Sequence, residues 1–220
     1  MCNQDLWQFV FPKIKNYNPE YIDITSASSF EEINTIINSK IVSPAILIGF
    51  SLGGFSALNF TSQFPDKIKK LIIIAANSKG LTKDELRLRK STIEFLKTHQ
   101  YKGISNTRVQ QFLHLENHQN KNLISIIKKM DADLGKEVLI RQLKSTSTRV
   151  DITKNSKQIN CPILLIGSKE DRLVSYKDII DLKKELKNSY SILIKNCGHM
   201  IPLERPNELA EIINPFLAFN

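Results

Sequence analysis

The sequence predicts an α/β fold: a mostly parallel sheet flanked by helices, with a helical cap inserted between two of its strands. Three observations carry that expectation. Short, continuously apolar runs recur along the 220 residues, amphipathic helical patterns separate them, and one long segment between two runs has helical spacing alone. In chain order, "YIDIT" (21–25) is a weak strand. "SSFEEINTIINSK" (28–40) spaces Ile33, Ile36 and Ile37 as one helical face, and Ser29 and Glu32 stand at the separation of a capping box. "AILIGF" (45–50) is a buried strand, and "LGGFSALNFTSQF" (52–64) follows it without a linker as a helix closed by Pro65. "KLIIIAA" (70–76) and "PILLIGS" (162–168) are the next two strands. The amphipathic run "SYKDIIDLKKELKN" (175–188) leads to the weaker strand "SILIKN" (191–196), and "PNELAEIINPFLAF" (206–219) is a last helix. From 78 to 150 no strand pattern is found, and "LISIIKKM" and "EVLIRQL" repeat at helical spacing. The expected division is a first part of the core at 1–77, a cap at 78–150 and a second part of the core at 151–220. An insertion there lies over the C-terminal edge of the sheet, where open α/β sheets bind ligands.

Composition narrows the function classes. A hydrophobic content of 41% and a charged content of 24% exclude a disordered or fibrous chain and allow a sizeable core. Cys2, Cys161 and Cys197 do not make a disulfide framework and point to a reducing compartment. No charged start followed by an apolar core marks a signal peptide, and the apolar runs fall far short of the roughly 20 residues of a membrane span. The expectation is a cytoplasmic protein with no membrane span. The net charge of +9 is localised: residues 77–150 hold 15 Lys+Arg against 7 Asp+Glu, and the rest of the chain 16 against 15. That surplus reads either as a solvated helical surface or as a landing site for an acidic partner or substrate. Nucleic acid is not expected, because the basic segment lacks aromatic interleaving and any nucleic-acid motif.

The chemistry centres on one turn. Gly49, Ser51 and Gly53 form G-x-S-x-G between a strand and a helix, a sharp turn that needs small neighbours and exposes the serine hydroxyl. The helix start aims N–H groups, that of Leu52 first, at negative charge developing beside the serine. A serine needs a base. Of the four histidines, His99, His114 and His118 lie in the polar middle segment and read as surface residues. His199 follows a late strand in "NCGHMIPLERP", which places it at the sheet edge beside Ser51. Asp171, just past the strand 162–168, is the acid that would orient it, with Glu170 as the adjacent rival. Cys197 raises a thiol nucleophile, but a buried structural cysteine is the simpler reading, since a thiol would leave the Ser51 turn without a role. No metal or cofactor is expected.

The motifs "GFSLGG", "CPILLIGSKEDRLVS" and "NCGHMIPLERPNELAEIINPFL", in that order, resemble the nucleophile, acid and histidine motifs of the α/β-hydrolase superfamily. The resemblance covers nearly the whole chain and is nearest to small capped bacterial hydrolases similar to the pimeloyl-acyl-carrier-protein methyl ester esterases. It implies a four-helix cap at 78–150 and a serine hydrolase acting through Ser51, His199 and Asp171 on a small-molecule ester or thioester. It also implies an acidic acyl carrier protein as a partner for the basic cap. "MCNQDLW" looks like the family segment after the first oxyanion loop, with Cys2, Leu6 and Trp7 matching and Asn3 in place of the usual acid; Trp7 becomes a candidate pocket wall. The family's "LPG" or "HG" motif, which precedes that segment, is absent from the residues given, as are two earlier strands. One oxyanion donor, Leu52, is therefore expected, with Met1 or Cys2 as the conceivable second. Loss of one donor costs about 2.7–4 kcal/mol of transition-state stabilisation. The alternative reading is a truncated, catalytically weak or vestigial hydrolase that acts as a binding protein. Ile93, Phe95, Leu96, Phe112 and Leu113 could line an acyl pocket, yet their spacing fits helix packing better.

Overall fold

The computed structural model describes residues 1–41 and 44–219. In chain order the elements are α1 (Phe30–Lys40), β1 (Ala45–Phe50), α2 (Leu52–Gln63), β2 (Ile68–Ile74), α3 (Lys83–Thr98), α4 (Asn106–Phe112) and α5 (Lys121–Ser147). They continue with α6 (Thr153–Ser156), β3 (Ile163–Ser168), α7 (Tyr176–Glu185), β4 (Ser189–Ile194), α8 (Ile201–Glu204) and α9 (Pro206–Ala218). The strands pair in parallel in the order β1-β2-β3-β4. This is an α/β architecture, a parallel sheet with helices on both faces.

Burial on both faces explains why the central strands read as unbroken apolar runs. In β2 and β3, Ile72, Ile74, Leu164 and Ile166 point into one core. Their alternates Leu71, Ile73, Ile163 and Leu165 point into the other. The first core is completed by Leu6, Val109, Met130 and Ile213, the second by Ile33, Phe55, Leu58 and Ile179. Lys70 interrupts β2 for a reason of its own. Its buried Nζ donates to the carbonyls of Phe216 (3.1 Å), Leu217 (2.8 Å) and Phe219, a cation at the C-terminal end of α9 that ties this helix to the sheet.

Three expectations change. "YIDIT" forms no strand; Tyr21 packs on one core and Ile22 and Ile24 on the other, as in an extended chain, but no ladder partner lies beside them among the described residues. Asp23 instead turns its carboxylate to the N–H of Thr25 at 2.8 Å. The capping box at α1 is displaced: Ser29 caps the N–H of Glu32, while the Glu32 carboxylate takes both the N–H (2.7 Å) and the hydroxyl (2.8 Å) of Ser28. Finally, β2 and β4 each start and stop two residues earlier than their apolar patterns suggest. Just past each of them stands a residue with positive φ, Ala75 at 48° and Asn196 at 50°, which turns the chain out of the sheet.

The segment between β2 and β3 is helical. α5 is two helices joined at Gly135 (φ 70°, ψ −177°), so that α3, α4 and the halves of α5 make four helical pieces. Asp131, 3% exposed, accepts from the Tyr101 hydroxyl at 2.7 Å and the Ile104 N–H at 2.8 Å, fastening the α3–α4 connection to α5.

Candidate active site

Ser51 sits between β1 and α2 with φ 50° and ψ −115°, a conformation that L-residues hold only under restraint from their surroundings. The restraint is visible. Its N–H donates to Ile74 O at 2.9 Å, and its carbonyl accepts the first helical bond, from the Phe55 N–H at 3.0 Å. Two glycines let the helix pass this close to the strand. A Cβ on Gly49 would stand 2.3 Å from Gly53 O, and one on Gly54 would stand 2.7 Å from the Ala76 Cβ. Gly53, the second glycine of the pattern, has no atom within 4 Å of its own would-be Cβ. The steric demand therefore falls on Gly49 and Gly54. Gly53→Ala is expected to hold or raise stability by up to about 1 kcal/mol, since alanine suits a helix better. Gly54→Ala, overpacked against Ala76, is expected to lose about 1–3 kcal/mol. Urea denaturation of the two variants reads the difference.

His199 and Asp171 meet Ser51 at the C-terminal edge of the sheet. The Ser51 hydroxyl lies 3.0 Å from His199 Nε2, and His199 Nδ1 lies 2.8 Å from Asp171 Oδ2. Both side chains are almost fully buried, His199 5% and Asp171 1% exposed. The other oxygen of Asp171 accepts from the N–H groups of Leu173 (2.7 Å) and Val174 (3.1 Å), so the carboxylate is fixed from behind. Glu170 is exposed, and its N–H donates to Ser168 Oγ at 3.1 Å, which turns it away from His199. The Leu52 N–H, in the first turn of α2, has no acceptor among the described residues and remains available beside Ser51.

The loop that carries His199 is held by groups the sequence reading did not single out. The N–H groups of His199 (2.8 Å) and Met200 (3.2 Å) both donate to Phe112 O, the last residue of α4. Ser168, at the end of β3, hydrogen-bonds Cys197 O at 2.5 Å. The Glu204 carboxylate accepts from the Gly198 N–H (2.9 Å), the His114 N–H (2.7 Å) and Asn117 Nδ2 (2.9 Å). The Phe50 and His199 rings lie 5.0 Å apart. No pattern in the sequence marks these contacts, although Glu204 stands only five residues past His199.

A cavity of about 660 Å³ opens at Ser51 and His199 and runs along the free edge of β1. Trp7 lines it, stacked on Phe11 with centroids 5.8 Å apart, and so do Met1 and Cys2. Of the five apolar cap residues, Phe112 alone borders this cavity. Ile93 and Leu96 pack on Ile140, Leu113 is in the main core, and Phe95 is exposed. His99 is exposed, whereas His114 and His118 are half-buried, with His118 Nε2 3.2 Å from Leu113 O; neither reaches Ser51. Burial, and then the Glu204 charge, pushes the Cys197 thiol well above its ordinary range, which keeps it protonated and poorly nucleophilic. Among the described residues no cluster of three His, Cys, Asp or Glu is placed to hold a metal ion, and no helix is long and apolar enough to cross a membrane.

Residues 12–206 match the family model described as the alpha/beta hydrolase fold. Over 202 residues, 86% of this chain and 76% of the relative, the sequence is 31% identical to a pimeloyl-[acyl-carrier protein] methyl ester esterase of Wigglesworthia glossinidia brevipalpis. A monoacylglycerol lipase of Bos taurus is 31% identical over a shorter stretch, 36% of this chain and 24% of that protein. Among solved structures, a thermophilic esterase from Thermogutta terrifontis superposes with a TM-score of 0.83 at 15% identity, covering 99% of this chain and 86% of that one.

Proposed function

The chain belongs to the α/β-hydrolase family, and on that premise we propose that it is a serine esterase cleaving a carboxylic ester or thioester through an acyl-enzyme. The observation that carries the reading is the continuous relay from Ser51 Oγ to His199 Nε2 (3.0 Å) and from His199 Nδ1 to Asp171 Oδ2 (2.8 Å). In this mechanism His199 Nε2 takes the hydroxyl proton as Ser51 attacks the carbonyl carbon. The Leu52 N–H donates to the oxyanion. The imidazolium, its charge balanced by Asp171, then gives the proton to the departing alcohol or thiol. Water, deprotonated by the same nitrogen, attacks the acyl-Ser51 ester, and the imidazolium returns that proton to Ser51 Oγ as the acid is freed. Asp171 holds the proton on Nδ1 throughout, which keeps Nε2 free as the base.

The relatives' printed substrates, a carrier-bound methyl ester and a monoacylglycerol, are both carboxylic esters. The cationic surplus of residues 77–150 favours the first kind, because an acidic carrier protein would be drawn to it. One experiment tests the whole reading. A fluorophosphonate is expected to label the protein, and p-nitrophenyl esters are expected to be hydrolysed. An ester on an acidic carrier is expected to turn over with a steeper loss on added salt than the free ester. A folded protein that is neither labelled nor active on any ester would instead favour a binding protein that keeps the geometry of the turn. Equal salt dependence would remove the carrier.

A further inference from the structure

We infer that Glu204 is a positioning residue: its carboxylate locks the His199 loop to the helical insertion and so sets the reach of His199 to Ser51. The inference rests on the reading of His199 as the base. Glu204 lies at the end of α8, five residues past His199, and its oxygens divide their work. Oε1 accepts from the Gly198 N–H at 2.9 Å, one residue before His199. Oε2 accepts from the His114 N–H at 2.7 Å and Asn117 Nδ2 at 2.9 Å, both in the insertion just past α4. A second observation shows how tightly the two segments are pressed together. A Cβ on Gly198 would stand 2.6 Å from Phe112 O, from the Leu113 carbonyl carbon and from the His114 N. The N–H groups of His199 and Met200 close the same seam on Phe112 O. Ser168 and Arg205 hold the loop at the Cys197 and Asn196 carbonyls, and on the side of the insertion Glu204 joins it to the 112–117 segment.

The chemistry of the pairing is specific to a carboxylate. These three partners and the Cys197 thiol, 4.0 Å from Oε1, are all donors, so both oxygens must accept. An amide at this position would keep one acceptor and turn its NH₂ toward a donor on the other side. Displacement of His199 by an ångström weakens the bond to Ser51, while most of the cavity lining, drawn from residues 1–57, stays in place, so turnover falls more than substrate binding does.

The full chain with Glu204→Gln is compared with wild type by steady-state hydrolysis of p-nitrophenyl butyrate, by the downfield Nδ1–H resonance of His199 and by thermal unfolding. A fall in kcat of about tenfold to a hundredfold, with KM within about twofold, is expected. The resonance should shift or broaden. Asn117→Asp sets a like charge against Oε2 without touching the loop, and is expected to move the same resonance and lower kcat about tenfold. It decides the matter if Glu204→Gln does not fold. Wild-type kcat and an unmoved resonance in a folded variant would overturn the inference, as would a loss of activity proportional to loss of folded protein. If wild type hydrolyses no ester, the esterase reading fails, and the resonance alone still decides the role of Glu204.

Discussion

Ser51→Ala is expected to lower kcat for ester hydrolysis by about 10⁴- to 10⁶-fold and to abolish fluorophosphonate labelling. The variant loses the atom that forms the acyl bond and, among the described residues, the only side-chain partner of His199 Nε2. Cys197 cannot serve, because its thiol is buried and held protonated. The fold should not register the change. Alanine tolerates φ 50° no better than serine does, and the backbone bonds of the turn, to Ile74 O and from the Phe55 N–H, are unaltered. Ser51→Gly, equally inactive, relieves that conformation and is expected to be more stable than Ser51→Ala by about 1 kcal/mol. Labelling that persists in Ser51→Ala would remove Ser51 from the mechanism, and equal stability of the two variants would show that the turn is not strained.

The second large effect is expected at Asp171. Asp171→Asn should reduce kcat about 10⁴-fold with little change in the unfolding midpoint. The geometry gives the reason. One oxygen of Asp171 is fixed by the N–H groups of Leu173 and Val174, so an asparagine places its carbonyl there and its NH₂ toward His199 Nδ1. Nδ1 must then accept, the proton moves to Nε2, and the nitrogen facing Ser51 is no longer a base. Nitrogen chemical shifts of the imidazole check the tautomer directly. An unchanged tautomer together with unchanged kcat would exclude Asp171 as the orienting acid.

Much of the architecture could be read from the chain, and the exceptions share a cause. Each of Ser51, Asp171 and His199 stands just past an apolar run, so parallel pairing alone brings their Cα positions to one edge. Strand identity was plain in β2 and β3 because both faces are buried. What could not be read depends on partners distant in sequence. Residues 21–25 have strand composition but no ladder neighbour. Ala75 and Asn196 hold positive φ without glycine, so nothing announces where β2 and β4 stop. Glu204, Ser168 and the Phe112 carbonyl act through hydrogen bonds, most of them to backbone, which no spacing encodes. Gly53 and Gly54 stand side by side in one letter pattern, and only the surrounding atoms tell which of them must stay small.

The insertion that brings Phe112 to His199 also separates two neighbouring strands in time. β2 and β3 lie side by side, Ile72 opposite Leu164, yet about ninety residues intervene between them. Closing that loop costs only about 1.5 kcal/mol more than closing the shorter β1–β2 connection, so the equilibrium penalty is small. The delay during synthesis is not. At about 5–20 residues per second, β2 leaves the ribosome roughly 5–20 s before β3 can cover its second edge. For that interval β1, α2 and β2 can assemble as a unit, while Leu71–Ile74 keep one flank open to any extended apolar segment. The helical insertion is thus also a clock on the growing chain, and the span from Asn77 to Asn160 sets how long the half-built sheet must stay out of trouble.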